Sequence, residues 1–183
     1  MTGLRRVVVT GVGMVSPLGA GVDNVWKRLL NGESGIHTIQ GFDASHLPST
    51  IGGEVPTVGG VRSDDPFALD TEAVMPDKER RRVDPITIYA LAAATEAVEM
   101  SGWKPTDEAS QERTGVMIGS GIGGIQSFTD AVKTVMTKGA RRLSPFAIPA
   151  ILVNLPPGHI SIKKGSRGPK HANSTACTTA PHA

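Results

Sequence analysis

The chain has 183 residues, 39% hydrophobic and 20% charged, which suits one soluble globular domain with a core of its own. Its formal charge of +2 is too small to signal nucleic-acid binding by itself, and one cysteine excludes an internal disulfide framework and fits a reducing cytosol. Aromatic residues are only 4%, whereas Gly (22) and Pro (13) are plentiful, so tight turns and close backbone packing are expected.

Residues 1–20 have the outline of a signal peptide: Arg5-Arg6, an apolar run, then Ala20. Gly11, Gly13, Ser16 and Pro17 break that run, so a buried strand and turn is the better reading. "RRVVVTGVG" lacks polar alternation and predicts a strand covered on both faces. Asp23 is placed to cap a short helix with Val25, Trp26, Leu29 and Leu30 on its inner face and Gly32 at its end. Residues 37–80 have little periodicity and much Gly, Pro, Ser and Asp, which predicts a surface insertion. Asp84-Pro85 supplies an N-cap and a first-turn proline for an alanine-rich helix running through "ITIYALAAATEAVEM" to Gly102.

"TGVMIGS" (114–120) predicts a second buried strand, and a helix is expected over 125–138. Residues 143–162 carry no Asp, Glu, Lys or Arg, but Pro145, Pro149, Pro156 and Pro157 would break a membrane helix, so a buried connection is expected. "HISIKK" and "HANSTA" are weaker strand candidates. Strands alternating with helices imply an α/β layered fold.

"GSGIGG" (119–124) satisfies G-x-G-x-x-G between a strand and a helix. A dinucleotide site also needs an acid about 20 residues on, and "KGARRLSPF" has none. A loop whose glycines let backbones or an acyl chain pass closely fits better. "KERRR" (78–82) reads as a solvated face, or, joined by Arg141 and Arg142, as a patch for an acidic partner.

Cys177 lies in "STACTTA", after a possible strand. It reads either as a buried structural cysteine or as a nucleophile at a strand-to-helix turn, where backbone N–H groups can hold an oxyanion. A nucleophile needs a base or another activator. Neither His171 nor His182 falls at i±3 or i±4 from it, and the other histidines show no metal-ligand spacing.

Five blocks carry a resemblance: "RRVVVTGVGMVSPLG", "WKRLLNGESGI", "GVMIGSGIGG", "ARRLSPFAIP" and "RGPKHANSTACTT". In this order they resemble the β-ketoacyl-[acyl-carrier-protein] synthases, the condensing enzymes of fatty-acid elongation, over essentially the whole chain. The resemblance implies a thiolase-like α-β-α-β-α layered fold, here its incomplete N-terminal half, truncated just after the nucleophile. It implies that Cys177 accepts an acyl chain as a thioester. Malonyl-carrier protein is then decarboxylated and attacks, giving a 3-oxoacyl product. The two histidines and the lysine that assist decarboxylation belong to the family's second half, so the 183 residues alone are expected to show no condensing turnover.

By the same resemblance Ile122 gates the acyl pocket, and Ile148, Leu152 and Ala176 line it. Lys78, Arg81, Arg82, Arg141 and Arg142 correspond to basic positions that meet acyl carrier protein. No metal and no cofactor of its own is implied, since the chain arrives on the carrier's phosphopantetheine. A cytoplasmic homodimer is implied, with no nucleic acid or membrane as partner. The ketosynthase of a type II polyketide system and a non-catalytic relic are the alternatives.

The sequence departs from the family's look most in its last 28 residues. Asn173 and Ser174 stand where apolar strand residues are usual and predict buried polar groups needing partners. Pro181, four after Cys177, opposes an α-helix starting there.

Overall fold

A computed structural model describes residues 3–183. Met1 and Thr2, which begin the leader-like stretch, lie outside the described residues. The chain divides into two compact units. The first holds residues up to Leu69 together with Ala92–Lys104; the second holds Asp70–Leu91 and Pro105–Ala183.

In the first unit residues 3–14 run without any ladder partner. The predicted strand covered on both faces is therefore not found: Val7 is 95% and Val9 83% exposed. Apolar β-branched residues show what a segment would bury. A strand also needs a neighbour for its N–H and C=O groups, and none pairs with this segment among the described residues. The glycines do have a packing reason. They lie against helix α4 (Pro85–Ser101), where a Cβ on Gly11 would overlap the Ala97 carbonyl and one on Gly13 the Ala93 carbonyl. Small residues on both sides permit that approach. Glu96 on the same helix accepts the Met14 N–H (2.9 Å) and the Val22 N–H (2.8 Å).

A hairpin of β1 (Val15–Ser16) and β2 (Gly19–Ala20) leads into α1 (Val22–Leu30). Asp23 does not cap α1. Gly21 is its N-cap, and Asp23 sits in the first turn, where its charge faces the positive helix end. Gly32 (φ +70) follows the C-cap as expected. Of the predicted inner face only Val25 is buried; Trp26, Leu29 and Leu30 are exposed. The periodicity marked an apolar face, but no neighbour within the unit covers it.

Strands β3 (Ile36–Thr38) and β4 (Ile51–Gly53) form a second antiparallel hairpin. The Asp65 carboxylate, only 5% exposed, draws Arg28 (2.9 Å) and Arg62 (2.9 Å) together. The same arginines donate to the Leu18 carbonyl (3.0 Å) and the Pro17 carbonyl (2.7 Å), so they pin the first hairpin. Burial pushes the Asp65 carboxyl up, but the Phe67 N–H and the two guanidinium groups outweigh it and hold the group below the usual carboxylate range.

The second unit begins with α2 (Thr71–Val74), capped by Asp70, and α3 (Asp77–Arg80). The first turns of α4 follow, opened by Asp84 and Pro85 as predicted. Asp84 is 4% exposed and accepts the Ile86 N–H (3.2 Å) and the Ser127 N–H (2.8 Å). One carboxylate thus satisfies first-turn donors of two helices, α4 and α6 (Ile125–Lys138). Before α6 lie α5 (Glu108–Glu112) and β5 (Val116–Gly119); after it lie α7 (Ala147–Ile151), α8 (Leu155–Lys164) and β6 (Lys170–Asn173). Strands β5 and β6 pair in parallel, with Val116 opposite Lys170 and Gly119 opposite Asn173. The α6, α7 and α8 helices form the crossover, which is the α/β pattern expected.

One reading of this crossover is corrected: "HISIKK" is not a strand but the end of α8. The connection expected over 143–162 is largely helical, with residues 147–151 in α7 and 155–164 in α8. The prolines allow this because Pro149 is the third residue of α7, and Pro156 and Pro157 are the second and third of α8. First-turn N–H groups have no partner within the helix, so proline removes nothing there.

Candidate active site

Beyond β6 the backbone turns sharply through two short 3₁₀ segments, Ala176–Thr178 and Ala180–His182. Over residues 176–182 the turn is 3₁₀ rather than α-helical, in line with the resistance expected from Pro181. The turn starts with Ala176 in the left-handed region (φ +51), a conformation that non-glycine residues rarely adopt. Cys177 comes next and its side chain is exposed, so it is not a buried structural cysteine. Around it the turn is tied by its own side chains. Thr179 accepts the Thr175 N–H (2.8 Å) and donates to the Ala176 carbonyl (2.6 Å). His182 Nδ1 meets the Thr175 hydroxyl at 2.9 Å.

Asn173 and Ser174 are not buried without partners. Asn173 donates to the His182 carbonyl, and Ser174 is exposed with the Gly121 carbonyl 3.4 Å away. His182 is thus held in the turn by Thr175 and Asn173, and His171 lies opposite Met117 in the sheet. Among the described residues no group of His, Cys, Asp and Glu is arranged to hold a metal.

The "GSGIGG" loop packs against this turn. A Cβ on Gly119 would stand 2.6 Å from Thr179 Cγ2 and 2.9 Å from its carbonyl oxygen; one on Gly121 would stand 3.3 Å from the Ala176 oxygen. Gly123 (φ +87) and Gly124 lie against the Ile151 and Ala150 carbonyls of the α7 helix. The loop's first-turn donors are also committed, since Gly124 N–H goes to Ile151 and Ser127 N–H to Asp84. Close passage of backbones, rather than a phosphate cradle, accounts for these glycines.

Ile122, at the tip of the loop, is 74% exposed and lines an apolar recess with Ile125, Phe128 and Ile151. Ile148 lines a second, wholly apolar groove with Val132, Val135 and Met136, and the two share Phe128 and Ile151. Leu152 and Ala176 line neither. The α6 residues Phe128, Val132, Val135 and Met136 were not singled out from sequence. Their signal was the i, i+4, i+7, i+8 stripe on a helix that was itself predicted.

The basic residues fall in two places. Asp77 pairs with Arg80 (3.0 Å) and Arg81 (2.5 Å), and those hydrogen bonds hold its carboxyl below the usual range. Arg82 lies over the Phe146 ring, 4.6 Å from its centre. Arg81 and Arg82 line a mixed polar and apolar cleft with Ser127, Asp130, Leu143 and Phe146. Lys78 is exposed on α3, while Arg141 and Arg142 are exposed in the 3₁₀ turn Ala140–Arg142 and do not line that cleft.

Residues 4–183 match the family model described as β-ketoacyl synthase, N-terminal domain. The chain is 47% identical over 180 residues to 3-oxoacyl-[acyl-carrier-protein] synthase 2 of Rhizobium meliloti (strain 1021), covering 98% of this chain and 42% of that protein. Among solved structures it is similar to a β-ketoacyl synthase from Burkholderia phymatum STM815, with a TM-score of 0.75 and 22% identity over 98% of this chain and 42% of that one. It is also similar to a ketosynthase in complex with a type II polyketide acyl-carrier protein, with a TM-score of 0.68 and 20% identity over 96% of this chain and 43% of that one. These structural likenesses show the thiolase-like fold. The chain spans about two fifths of the length of the relatives it matches.

Proposed function

The chain belongs to the β-ketoacyl synthase family through its N-terminal domain, and from that premise we propose that it is the acyl-accepting part of a 3-oxoacyl-[acyl-carrier-protein] synthase of fatty-acid elongation. The observation that carries this is Cys177, an exposed thiol on a left-handed strand-to-3₁₀ turn braced by a glycine loop. In the proposed reaction the Cys177 thiol gives up its proton and Sγ bonds to the carbonyl carbon of an acyl thioester. The bond from that carbon to the carrier's sulfur breaks, and the departing thiol takes a proton. Malonyl-carrier protein then loses carbon dioxide, and its carbanion displaces the cysteine to give the 3-oxoacyl chain.

Ile122, Ile148, Leu152 and Ala176 are proposed to shape the space for the chain. Lys78, Arg81, Arg82, Arg141 and Arg142 are proposed to meet the acidic carrier, mainly by speeding encounter in a salt-dependent way. A cytoplasmic homodimer without a cofactor of its own belongs to the same reading. No described helix is long and apolar enough to cross a membrane. The likeness to polyketide ketosynthases, at 20% identity, carries fold alone, so the fatty-acid reading is preferred.

The test is acyl transfer from a loaded acyl carrier protein, read by intact mass. Wild-type chain is expected to gain one acyl group and Cys177→Ser none under the same exposure. Charge reversal at Arg81 and Arg141 is expected to slow the transfer, most at low salt. A wild-type chain that never acquires an acyl group defeats the reading. The 183 residues alone are expected to yield no 3-oxoacyl product.

A further inference from the structure

Ala176 is held in the left-handed region, which non-glycine residues rarely adopt, so something must hold it there. Thr179 is 4% exposed. Its hydroxyl bridges the strained pair of residues, accepting from the Thr175 N–H and donating to the Ala176 carbonyl. Its own N–H reaches the same carbonyl at 3.2 Å. Behind it Gly119 leaves room for the side chain and no more.

The carbonyl so gripped belongs to the peptide that joins Ala176 to Cys177. Every described peptide is trans, and in a trans peptide the C=O and the following N–H point in opposite directions. Holding the Ala176 carbonyl toward Thr179 therefore aims the Cys177 N–H away from the turn. Among the described residues that N–H donates to no protein group.

We propose that Thr179 is a positioning residue, whose hydroxyl aims the Cys177 N–H at the oxyanion that develops when the thiol attacks a thioester. This role rests on the reading of Cys177 as the acyl acceptor. Thr179 itself touches no reacting atom.

Two reagents separate aim from access, and the lone cysteine means that no other thiol competes. Iodoacetamide reacts at a saturated carbon, with iodide leaving and no oxyanion formed. Hexanoyl-N-acetylcysteamine transfers its acyl group through an oxyanion, and N-acetylcysteamine leaves with the proton. Thr179→Val, which keeps shape and loses the hydroxyl, is expected to slow hexanoyl transfer on the order of 100-fold, as loss of an oxyanion donor does. Its alkylation rate is expected to stay near wild type, and Thr179→Ser to recover most of the transfer.

Hexanoyl transfer at the wild-type rate in Thr179→Val overturns the proposal, as does alkylation that falls as far as transfer. Should the valine variant melt below the assay temperature, Thr179→Ala and Thr179→Ser, which differ by one oxygen, decide it: equal transfer rates overturn the role. Wild-type chain that is alkylated but never acylated defeats the functional reading itself, and the role of Thr179 with it.

Discussion

Two stretches of this chain look alike in sequence and end up differently. "VVVTGVG" (7–13) and "VMIGSGIGG" (116–124) are both apolar β-branched runs punctuated by glycine. The second forms β5, pairs in parallel with β6, and sends its glycines under the Cys177 turn and against α7. The first packs its glycines on α4 but leaves Val7 and Val9 in solvent with no strand beside them. Glycine spacing in both reports close contact with backbone. β-Branched residues report only readiness to pair, and a partner strand decides whether a sheet forms.

The largest expected effect is at the packed stretch. Gly124→Val puts a branched side chain onto the Ala150 carbonyl and within 2.9 Å of Asp84 Cβ, and is expected to cost about 3 kcal/mol in a urea unfolding curve. A cost near zero would show that the loop is not packed as described. Next, Asp84→Ala frees the Ile86 and Ser127 N–H groups at the starts of two helices. A loss of about 2 kcal/mol is expected by the same measurement.

In the unit of the unpaired stretch, the Asp65 carboxyl lies below its ordinary range. The stability it contributes is present above its unfolded value of about 3.9 and is lost as pH falls through the lower folded value. Wild-type melting temperature is thus expected to drop more steeply below about pH 4 than that of Asp65→Asn. Parallel acid curves would mean that Arg28 and Arg62 do not favour the charged form. The smallest effect is expected for Val8→Thr, within about 0.5 kcal/mol of wild type in urea, because the side chain is 64% exposed. A loss beyond 1 kcal/mol, well outside that surface range, would place Val8 in a core and erase the contrast.

Helix positions carried much of their own information. The α4 start at Asp84-Pro85, the α6 span 125–138 and the stop at Gly32 were legible because caps, first-turn prolines and C-terminal glycines act within a few residues. Missed or misread features depended on distant partners. Arg28, Asp65 and Arg62 lie up to 37 residues apart and showed no pattern before the fold brought them together. Trp26, Leu29 and Leu30 followed a helical stripe but found no cover in their unit. "HISIKK" has strand-forming isoleucines, yet buried Pro156 and Pro157 start it as a helix.

The candidate site divides the same way. Cys177, its family motif and the glycine loop were legible because chemistry constrains residue type at each position. Thr179 was not, since a threonine two residues past a cysteine has no signature until a turn folds its hydroxyl onto the Ala176 carbonyl. By itself the sequence determined the family, the α/β order and the candidate nucleophile, since motifs and helix ends are set by neighbours in the chain. Only tertiary structure decided which apolar runs became strands, which carboxylates met arginines and which hydroxyl braced the turn. Those outcomes depend on hydrogen-bond and packing partners far away in sequence.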